Sequence, residues 1–221
     1  MDYEESVAWV YGLPRFPRDP SPARVARYLA LVGHPERRFS AVHVTGTNGK
    51  GSTAATLASI LRAAGRRTAL YTSPHLHRPN ERMRVDGEAI PDEDFARLAT
   101  ALRALVERET ARDATLAPAG FDAFTVIAFR WFAERGADVA VVEVGIVGRL
   151  DATNVFHAPV VVLTNVDLEH TEVLGATRAD IAREKVALAR EGATVVTAER
   201  DAEALAVVRA HAAAPPRRAP P

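Results

Sequence analysis

The predicted fold depends on the stretch His43-Val44-Thr45-Gly46-Thr47-Asn48-Gly49-Lys50-Gly51-Ser52. The residues from 41 to 45 are rich in β-branched side chains, which is typical of a buried strand, and apolar residues recur at helical spacing from about 51 to 64. Between them lies the pattern G-x-x-G-K-G-S, which is two residues shorter than the usual phosphate loop G-x-x-x-x-G-K-[ST]. The stretch therefore predicts a strand, a phosphate-binding loop and a helix; a plain strand–turn–helix connection is the alternative.

Several features of this loop suit phosphate groups. Glycines allow backbone N–H groups to converge on an anion, and the N-terminus of the following helix carries a partial positive charge. The ammonium group of Lys50 can reach the terminal phosphates of a nucleoside triphosphate, and the hydroxyl of Ser52 can bind Mg²⁺. We therefore expect this loop to bind a nucleotide together with a divalent cation.

Composition bears on the class of partner. The chain has 221 residues, 48% of them hydrophobic, with 28 basic and 28 acidic residues. This balance gives no strong field that would attract nucleic acid or an anionic membrane. No apolar run is long enough to span a bilayer, the acidic start Met1-Asp2-Tyr3-Glu4-Glu5 is unlike a secretory signal, and the lack of cysteine rules out disulfides and thiolate metal sites. We expect a cytoplasmic monomer without nucleic-acid or membrane partners.

The two lysines stand out. Of the 28 basic residues only Lys50 and Lys185 are lysines, and the other 26 are arginines. Where such a strong preference for arginine leaves a lysine, the position could require a compact ammonium group or a free amine, which arginine cannot provide. Lys50 already has a role in the phosphate loop, so Lys185 becomes a candidate functional residue, with chance placement as the alternative.

Helical and strand-like patterns alternate along the rest of the chain. Helices are predicted over about 2–11, 22–32, 91–111, 121–135, 177–191 and 202–212, strands over 67–72, 139–144, 159–164 and 193–197, and a hairpin over 82–90 around Asp86-Gly87. This alternation predicts an α/β fold, with a P-loop-type, mainly parallel sheet of five or more strands and helices on both faces.

Polar residues follow four of the predicted strands. The phosphate loop comes after the first, Ser73 after the second, Glu143 at the end of another and His170 after the next. Ligands of such sheets bind at the carboxyl ends of the strands, so these residues should share one edge. Ser52, Ser73 and Glu143 offer the oxygen ligands that Mg²⁺ prefers.

Three further polar residues near this edge are less decisive. Asp167 and Glu169 could bind a cation, but they flank a turn and we expect both to be solvated. His170 is an unusual Mg²⁺ ligand. The pattern is compatible with His170 binding the metal or supporting a metal ligand, and equally with a bystander position.

Taken together, the ordered motifs resemble those of folylpolyglutamate synthase/dihydrofolate synthase, in its N-terminal ATPase domain. That family belongs with the Mur ligases, so the resemblance implies a Mur-ligase-like central domain. The motifs that carry the resemblance are Thr45-Gly46-Thr47-Asn48-Gly49-Lys50-Gly51-Ser52, Tyr71-Thr72-Ser73-Pro74-His75-Leu76, Asn80-Glu81-Arg82, Gly148-Arg149-Leu150-Asp151-Ala152-Thr153-Asn154, His170-Thr171-Glu172-Val173-Leu174-Gly175 and Glu184-Lys185.

The resemblance implies an ADP-forming amide ligase. ATP would phosphorylate the carboxylate of dihydropteroate or a folate such as tetrahydrofolate, and the amine of L-glutamate would attack the acyl phosphate. Two Mg²⁺ ions are implied, and the lysine matching Lys185 would be carbamylated. The implied residues are, for ATP, Asn48, Gly49, Lys50, Gly51 and Ser52; for metal, Ser52, Ser73, Glu143, His170 and Lys185; for catalysis, Lys50, His170 and Lys185; and for the folate substrate, Phe121, Asp122, Thr125, Leu150, Asp151 and Ala152.

The chain also departs from the family pattern. Val147 replaces a glycine of the family's Gly-Leu-Gly-Gly-Arg, which would strain a position with positive φ. Family members carry a second α/β domain. We therefore expect an ATP-binding ligase domain over 1–200, a terminal helix over 201–212 and a Pro/Ala/Arg-rich tail or linker to that second domain over 213–221. Two alternatives remain: a catalytically incomplete nucleotide-binding module, and a related Mur-type ligase.

Overall fold

One seven-stranded sheet organises the part of the chain that the computed structural model describes, residues 1–15 and 19–213. Its strand order is β4-β3-β2-β5-β1-β6-β7. The strands are β1 Ser40–Thr45, β2 Thr68–Tyr71, β3 Met83–Val85, β4 Glu88–Ala89, β5 Val139–Glu143, β6 Val160–Leu163 and β7 Thr194–Thr197. The helices are α1 Tyr3–Gly12, α2 Pro22–Leu31, α3 Lys50–Ala63, α4 Asp92–Arg112, α5 Gly120–Glu134, α6 Thr171–Leu174, α7 Arg178–Val186 and α8 Ala202–Ala212.

The sheet confirms the predicted α/β class. β2, β5, β1, β6 and β7 are parallel, and the hairpin of β3 and β4 adds an antiparallel edge. Asp86 and Gly87, with φ of 53° and 92°, make the predicted tight turn of that hairpin. The prediction of a helix over 177–191 is wrong at its end, because α7 stops at Val186. The predicted tail lies, after Ala213, outside the described residues.

Helices cover both faces of the sheet, because its central strands are apolar on both sides. On β5, Ala140 and Val142 belong to the large core under α4 and α5, whereas Val141 packs with Ala54 and Ala58 of α3. Successive side chains of a strand point to opposite faces, so one apolar run serves both layers.

Among the described residues, no helix combines the length and the hydrophobicity that crossing a membrane requires.

His43 is a buried titratable residue in this core. Its ring stacks on Phe156 with 4.4 Å between ring centroids, and its Nε2 lies 3.2 Å from the carbonyl oxygen of Thr153. Burial lowers the pKa of His43 from 6.5 to about 3, because the charged imidazolium would lose its hydration.

This burial should make stability depend on pH. The folded pKa lies below the unfolded value, so the unfolded chain binds more protons between about pH 3 and pH 6.5, and stability falls as the pH falls through that window. We expect a loss of up to about 1.4 kcal/mol per pH unit there. Urea unfolding at several pH values measures the slope. His43→Leu should reduce it, and an unchanged slope in that variant would show that His43 is not its source.

Candidate functional site

The glycine-rich loop joins β1 to α3 as the sequence predicts. β1 ends at Thr45, and α3 begins at Lys50 with Gly49 as its N-cap residue. Gly46 has a φ of 135°, and a Cβ added there would lie 1.9 Å from Thr164 Oγ1. Only glycine therefore fits where β1 turns into the loop, and this close packing fixes the direction in which the loop leaves the sheet.

The loop presents cationic and N–H groups together. Lys50 Nζ donates a hydrogen bond to the carbonyl oxygen of Thr47 at 2.8 Å, so its ammonium group curls back over the loop. Ser52 is exposed in the first turn of α3. Because the first N–H groups of a helix lack intrahelical partners, this turn can receive an anion.

A buried carboxylate lies beside this turn. Glu143 ends β5, and its Oε2 accepts a hydrogen bond from the backbone N–H of Ser73 at 3.0 Å. A Cβ added to Gly51 would lie 3.5 Å from the same oxygen. Burial raises the pKa of Glu143, while the Ser73 N–H and the charges of Lys50 and Arg82 oppose that rise. The structure thus brings together the predicted residues Ser73, Glu143 and the phosphate loop.

The segment after β6 supports the loop from its other side. Asn165 accepts two hydrogen bonds at 2.9 Å, from the N–H of Thr47 to its carbonyl oxygen and from the N–H of Asn48 to its Oδ1. The N–H of Asp167 donates to Thr47 Oγ1 at 3.0 Å. The sequence-based predictions missed Asn165. It could have been identified as a polar residue that follows an apolar strand at the same edge of the sheet.

Lys185 also contacts the loop. Its side chain is 2% exposed, and its Nζ lies 2.8 Å from Glu169 Oε1 and donates to the carbonyl oxygen of Gly46 at 3.1 Å. Burial lowers the pKa of Lys185, and Glu169 partly opposes this. The prediction that Glu169 is solvated is wrong, because Glu169 neutralises a buried cation. Asp167 is 54% exposed and pairs with Arg178, as expected for a solvated turn.

His170 stays at the margin of this group. It precedes α6 with a φ of 44°, its side chain is 45% exposed, and its Nδ1 lies 3.7 Å from Glu172 Oε1. Within the described residues it makes no hydrogen bond or ion pair to the phosphate loop, Glu143 or Lys185. The structure therefore places His170 near the edge without joining it to the other candidate ligands.

Four of the predicted substrate residues, Phe121, Leu150, Asp151 and Ala152, lie on or beside a second loop, between β5 and β6. Phe121 and Asp151 meet at Gly145, where an added Cβ would lie 3.0 Å from each. Asp151 is buried and accepts hydrogen bonds from the N–H of Gly145 and from the N–H and hydroxyl of Thr153. Burial raises the pKa of Asp151 to about 6. Leu150 and Phe121 are partly exposed, whereas Ala152 is buried.

Two of these predicted residues have partners inside the fold. Asp122 receives a hydrogen bond from Arg24 Nε at 3.1 Å and one from the N–H of Ala119 at 2.9 Å, so it caps α5. Thr125 Oγ1 lies 3.2 Å from the Tyr71 hydroxyl. Their contact with a substrate stays a prediction.

Val147 does not have a positive φ. The backbone strain anticipated for a β-branched residue at this position therefore does not arise.

The side chains of the two predicted metal sites differ in how well they suit Mg²⁺. Glu143 with the hydroxyls of Ser52 and Ser73 is a hard oxygen donor set that suits Mg²⁺. The second set does not fit as its side chains stand, because the Lys185 ammonium has no free electron pair and is paired with Glu169. No cluster of three or more His, Cys, Asp or Glu side chains that could hold a metal occurs in residues 1–15 and 19–213.

Known proteins resemble this chain over most of its length. No family model matches it. Folylpolyglutamate synthase of Lacticaseibacillus casei is 40% identical over 213 residues, which are 96% of this chain and 50% of that protein. Dihydrofolate synthase/folylpolyglutamate synthase of Bacillus subtilis is 39% identical over 210 residues, which are 94% of this chain and 48% of that protein.

Solved structures give the same result. An FPGS–AMPPCP–folate complex superposes with a TM-score of 0.92 at 40% identity, over 96% of this chain and 52% of that one. An Escherichia coli relative in complex with DHPP and ADP has a TM-score of 0.83 at 34% identity, over 96% of this chain and 49% of that one. The chain thus spans about half the length of these relatives. By sequence and by fold, it belongs with the N-terminal half of the folylpolyglutamate synthase/dihydrofolate synthase family.

Proposed function

We propose that this chain is the nucleotide-binding part of an ATP-dependent, ADP-forming ligase that adds L-glutamate to dihydropteroate or a folate. The observation that carries the proposal is the phosphate loop with Lys50 at the start of α3 and the buried Glu143 beside it. Relatives solved with AMPPCP and folate, or with DHPP and ADP, support the two substrate classes.

In the proposed reaction a carboxylate oxygen of the pteroate or folate attacks the γ-phosphorus of ATP, and ADP leaves. The glutamate amine then attacks the acyl carbon, the amide forms and phosphate leaves. Lys50 and the N–H groups of the loop would hold the phosphates. Glu143, Ser52 and Ser73 would hold one Mg²⁺, whose charge would offset that of the phosphates when it is bound.

A second metal at His170 and Lys185 is a separate part of the proposal. Carbamylation would turn the Lys185 amine into an anionic oxygen donor, and it would require the amine to leave its pairing with Glu169. Mass spectrometry of the native protein in bicarbonate buffer would detect such an adduct on Lys185. An unmodified Lys185 under those conditions would remove this second site and leave the first one standing.

The test is to incubate the protein with Mg-ATP, dihydropteroate and L-glutamate, and to measure ADP and the amide product. ADP release that requires both other substrates supports the ligase. ATP binding without ADP release, in the complete protein, favours the alternative of a nucleotide-binding module.

A point substitution tests the loop itself. Lys50→Met should weaken Mg-ATP binding at least about tenfold, because a charge-assisted hydrogen bond to phosphate is worth roughly 1.5–3 kcal/mol. Arg66→Met is the matched control, since Arg66 is an exposed basic residue just after α3. Calorimetric titration gives both affinities. Equal affinity in the two variants would contradict the assignment of this loop to phosphate.

A further inference from the structure

The buried imidazole of His43 makes a hydrogen bond to the loop between β5 and β6. His43 lies in β1, three residues before Gly46, and its ring is nearly parallel to that of Phe156, with 22° between the planes. Because burial lowers the pKa of His43 to about 3, the ring is neutral and carries one N–H group. The carbonyl oxygen of Thr153, 3.2 Å from Nε2, can only accept, so the hydrogen lies on Nε2.

The other ring nitrogen indicates what this imidazole contributes. Nδ1 of His43 is buried and has no hydrogen-bond partner among the described residues. An unpaired buried acceptor costs free energy. A phenylalanine at this position could also stack on Phe156, and it would avoid that cost. What the imidazole adds to the packing is therefore the N–H group that it donates to Thr153.

The hydrogen bonding continues from Thr153 to the carboxylate of Asp151. The N–H and the hydroxyl of Thr153 donate to Asp151 Oδ1 at 3.0 Å and 2.7 Å, and the N–H of Gly145 donates to Oδ2 at 3.1 Å. The carbonyl oxygen of Thr153 also accepts from the N–H of Val155 at 2.9 Å, but that contact lies within the loop. The bond from His43 instead ties the residue that holds the Asp151 carboxylate to a central strand of the sheet.

The strand β1 thus supports two loops. The phosphate loop leaves its carboxyl end at Gly46, and His43 lies about 10 Å earlier along the strand. Transfer of a phosphoryl group to a carboxylate requires the nucleotide and the second substrate to be aligned. We infer that His43 is a positioning residue, which acts through Thr153 to fix the Asp151 carboxylate relative to the phosphate loop. It should thereby set the affinity for the pteroate or folate, whose identity as the substrate rests on the proposed function.

Amide hydrogen exchange, followed by NMR, tests the positioning without any substrate. In His43→Leu the amides of Thr153 and Gly145, which both donate to Asp151, should exchange about three- to tenfold faster. This increase should exceed any change in the slowest amides of the sheet, which report global unfolding. His43→Gln retains an N–H donor close to the position of Nε2, so both amides should exchange at nearly the wild-type rate.

A second variant without a donor, His43→Met, decides the matter if His43→Leu does not fold, as judged by circular dichroism. Wild-type exchange of the Thr153 and Gly145 amides in a folded donor-less variant would overturn the inference. Equal acceleration in His43→Gln would overturn it as well, because the effect would then come from packing of the ring and not from its N–H group.

Calorimetric titration measures the consequence for the substrate. With AMPPCP bound in place of ATP, His43→Leu should bind dihydropteroate about three- to tenfold more weakly, the range expected for one hydrogen bond, and His43→Gln should recover most of the affinity. Mg-ATP affinity should stay within about twofold of the wild type. Lys50→Met should show the opposite pattern, with weaker Mg-ATP binding and unchanged exchange of the Thr153 amide.

The two measurements separate this inference from the proposed function. A wild-type protein that binds Mg-ATP but not dihydropteroate would count against the proposed substrate, and the exchange rates would still decide whether His43 positions Asp151. If the wild type binds dihydropteroate, equal affinity in a folded His43→Leu variant would overturn the inference while leaving the proposed function in place.

Discussion

Replacing Glu169 with glutamine is expected to destabilise the folded chain by about 3–5 kcal/mol at neutral pH, because it leaves a buried cation without its counter-charge. Lys185 is 2% exposed and Glu169 Oε1 lies 2.8 Å from its Nζ. Among the described residues, the other polar contact of Nζ is the carbonyl oxygen of Gly46. The same change should weaken Mg-ATP binding, since Glu169 would no longer fix the position of Lys185 Nζ, which donates to the start of the phosphate loop.

The stability of Glu169→Gln should depend on pH, and the direction of that dependence follows from the pKa of Lys185. Burial already lowers the pKa of Lys185 below its ordinary value of 10.5, and Glu169 opposes that shift. Without Glu169 the folded pKa falls further, so the unfolded chain binds more protons over the window between that pKa and 10.5. The free energy of unfolding of Glu169→Gln should therefore rise with pH across this window, as Lys185 loses its charge. The difference in stability between the variant and the wild type should become smaller over the same window.

Urea unfolding at neutral pH and at about pH 10 measures both effects. Asp167→Asn is the matched control on the same segment, because Asp167 is 54% exposed and solvent screens its pair with Arg178, so this change should have little effect on stability. Adding Lys185→Met to Glu169→Gln should recover much of the lost stability, since no charge would then be buried. A double variant as unstable as Glu169→Gln would contradict this account.

The contact between Glu169 and Lys185 illustrates what the sequence could not predict. The loop from Gly46 to Ser52 was predictable because its glycines, lysine and flanking periodicities are local signals. Glu169 stands in a polar turn, where solvation is the usual outcome, and its partner comes from a later helix. The bond between Asn48 and Asn165 likewise joins residues 117 positions apart. Such pairings depend on the order of the strands, which alternation alone does not specify.

The early end of α7 has a similar cause. Ile181, Ala182 and Val186 pack in the small core with α8, whereas Leu188 and Ala189 belong to the large core. Apolar residues continue past Val186, so a periodic pattern extends the predicted helix. The chain instead turns there to pass from one core to the other, because packing in the two cores overrides the local helix propensity.

Replacing Gly148 with alanine should cost about 3 kcal/mol or more of stability and should displace Lys185 as well. A Cβ at Gly148 would lie 2.0 Å from the carbonyl oxygen of Glu184 and 2.8 Å from the Cα of Lys185. The N–H of Arg149 also donates to that carbonyl oxygen, at 3.1 Å, so the two backbones are held together at this point. All the obstructing atoms are backbone, and no rotamer change can relieve the overlap.

Two controls separate this close approach from other effects of the substitution. Gly12→Ala should be neutral or slightly stabilising, because Gly12 ends α1 and a Cβ there would meet nothing within 4 Å. Arg149→Ala removes the half-exposed ion pair with Glu184 while leaving the backbone contact, and should cost no more than about 1 kcal/mol. Urea unfolding compares the three variants.

The functional consequence follows from the position of Lys185. If α7 moves to admit the new methyl group, Nζ moves away from the carbonyl oxygen of Gly46, and the phosphate loop loses a support that Asn165 alone does not replace. Gly148→Ala should therefore weaken Mg-ATP binding even under conditions where the variant is folded. Wild-type affinity in the folded variant would show that the loop between β5 and β6 and the phosphate loop are independent. Reduced affinity would establish that the packing of Gly148 on α7 helps to position the phosphate loop.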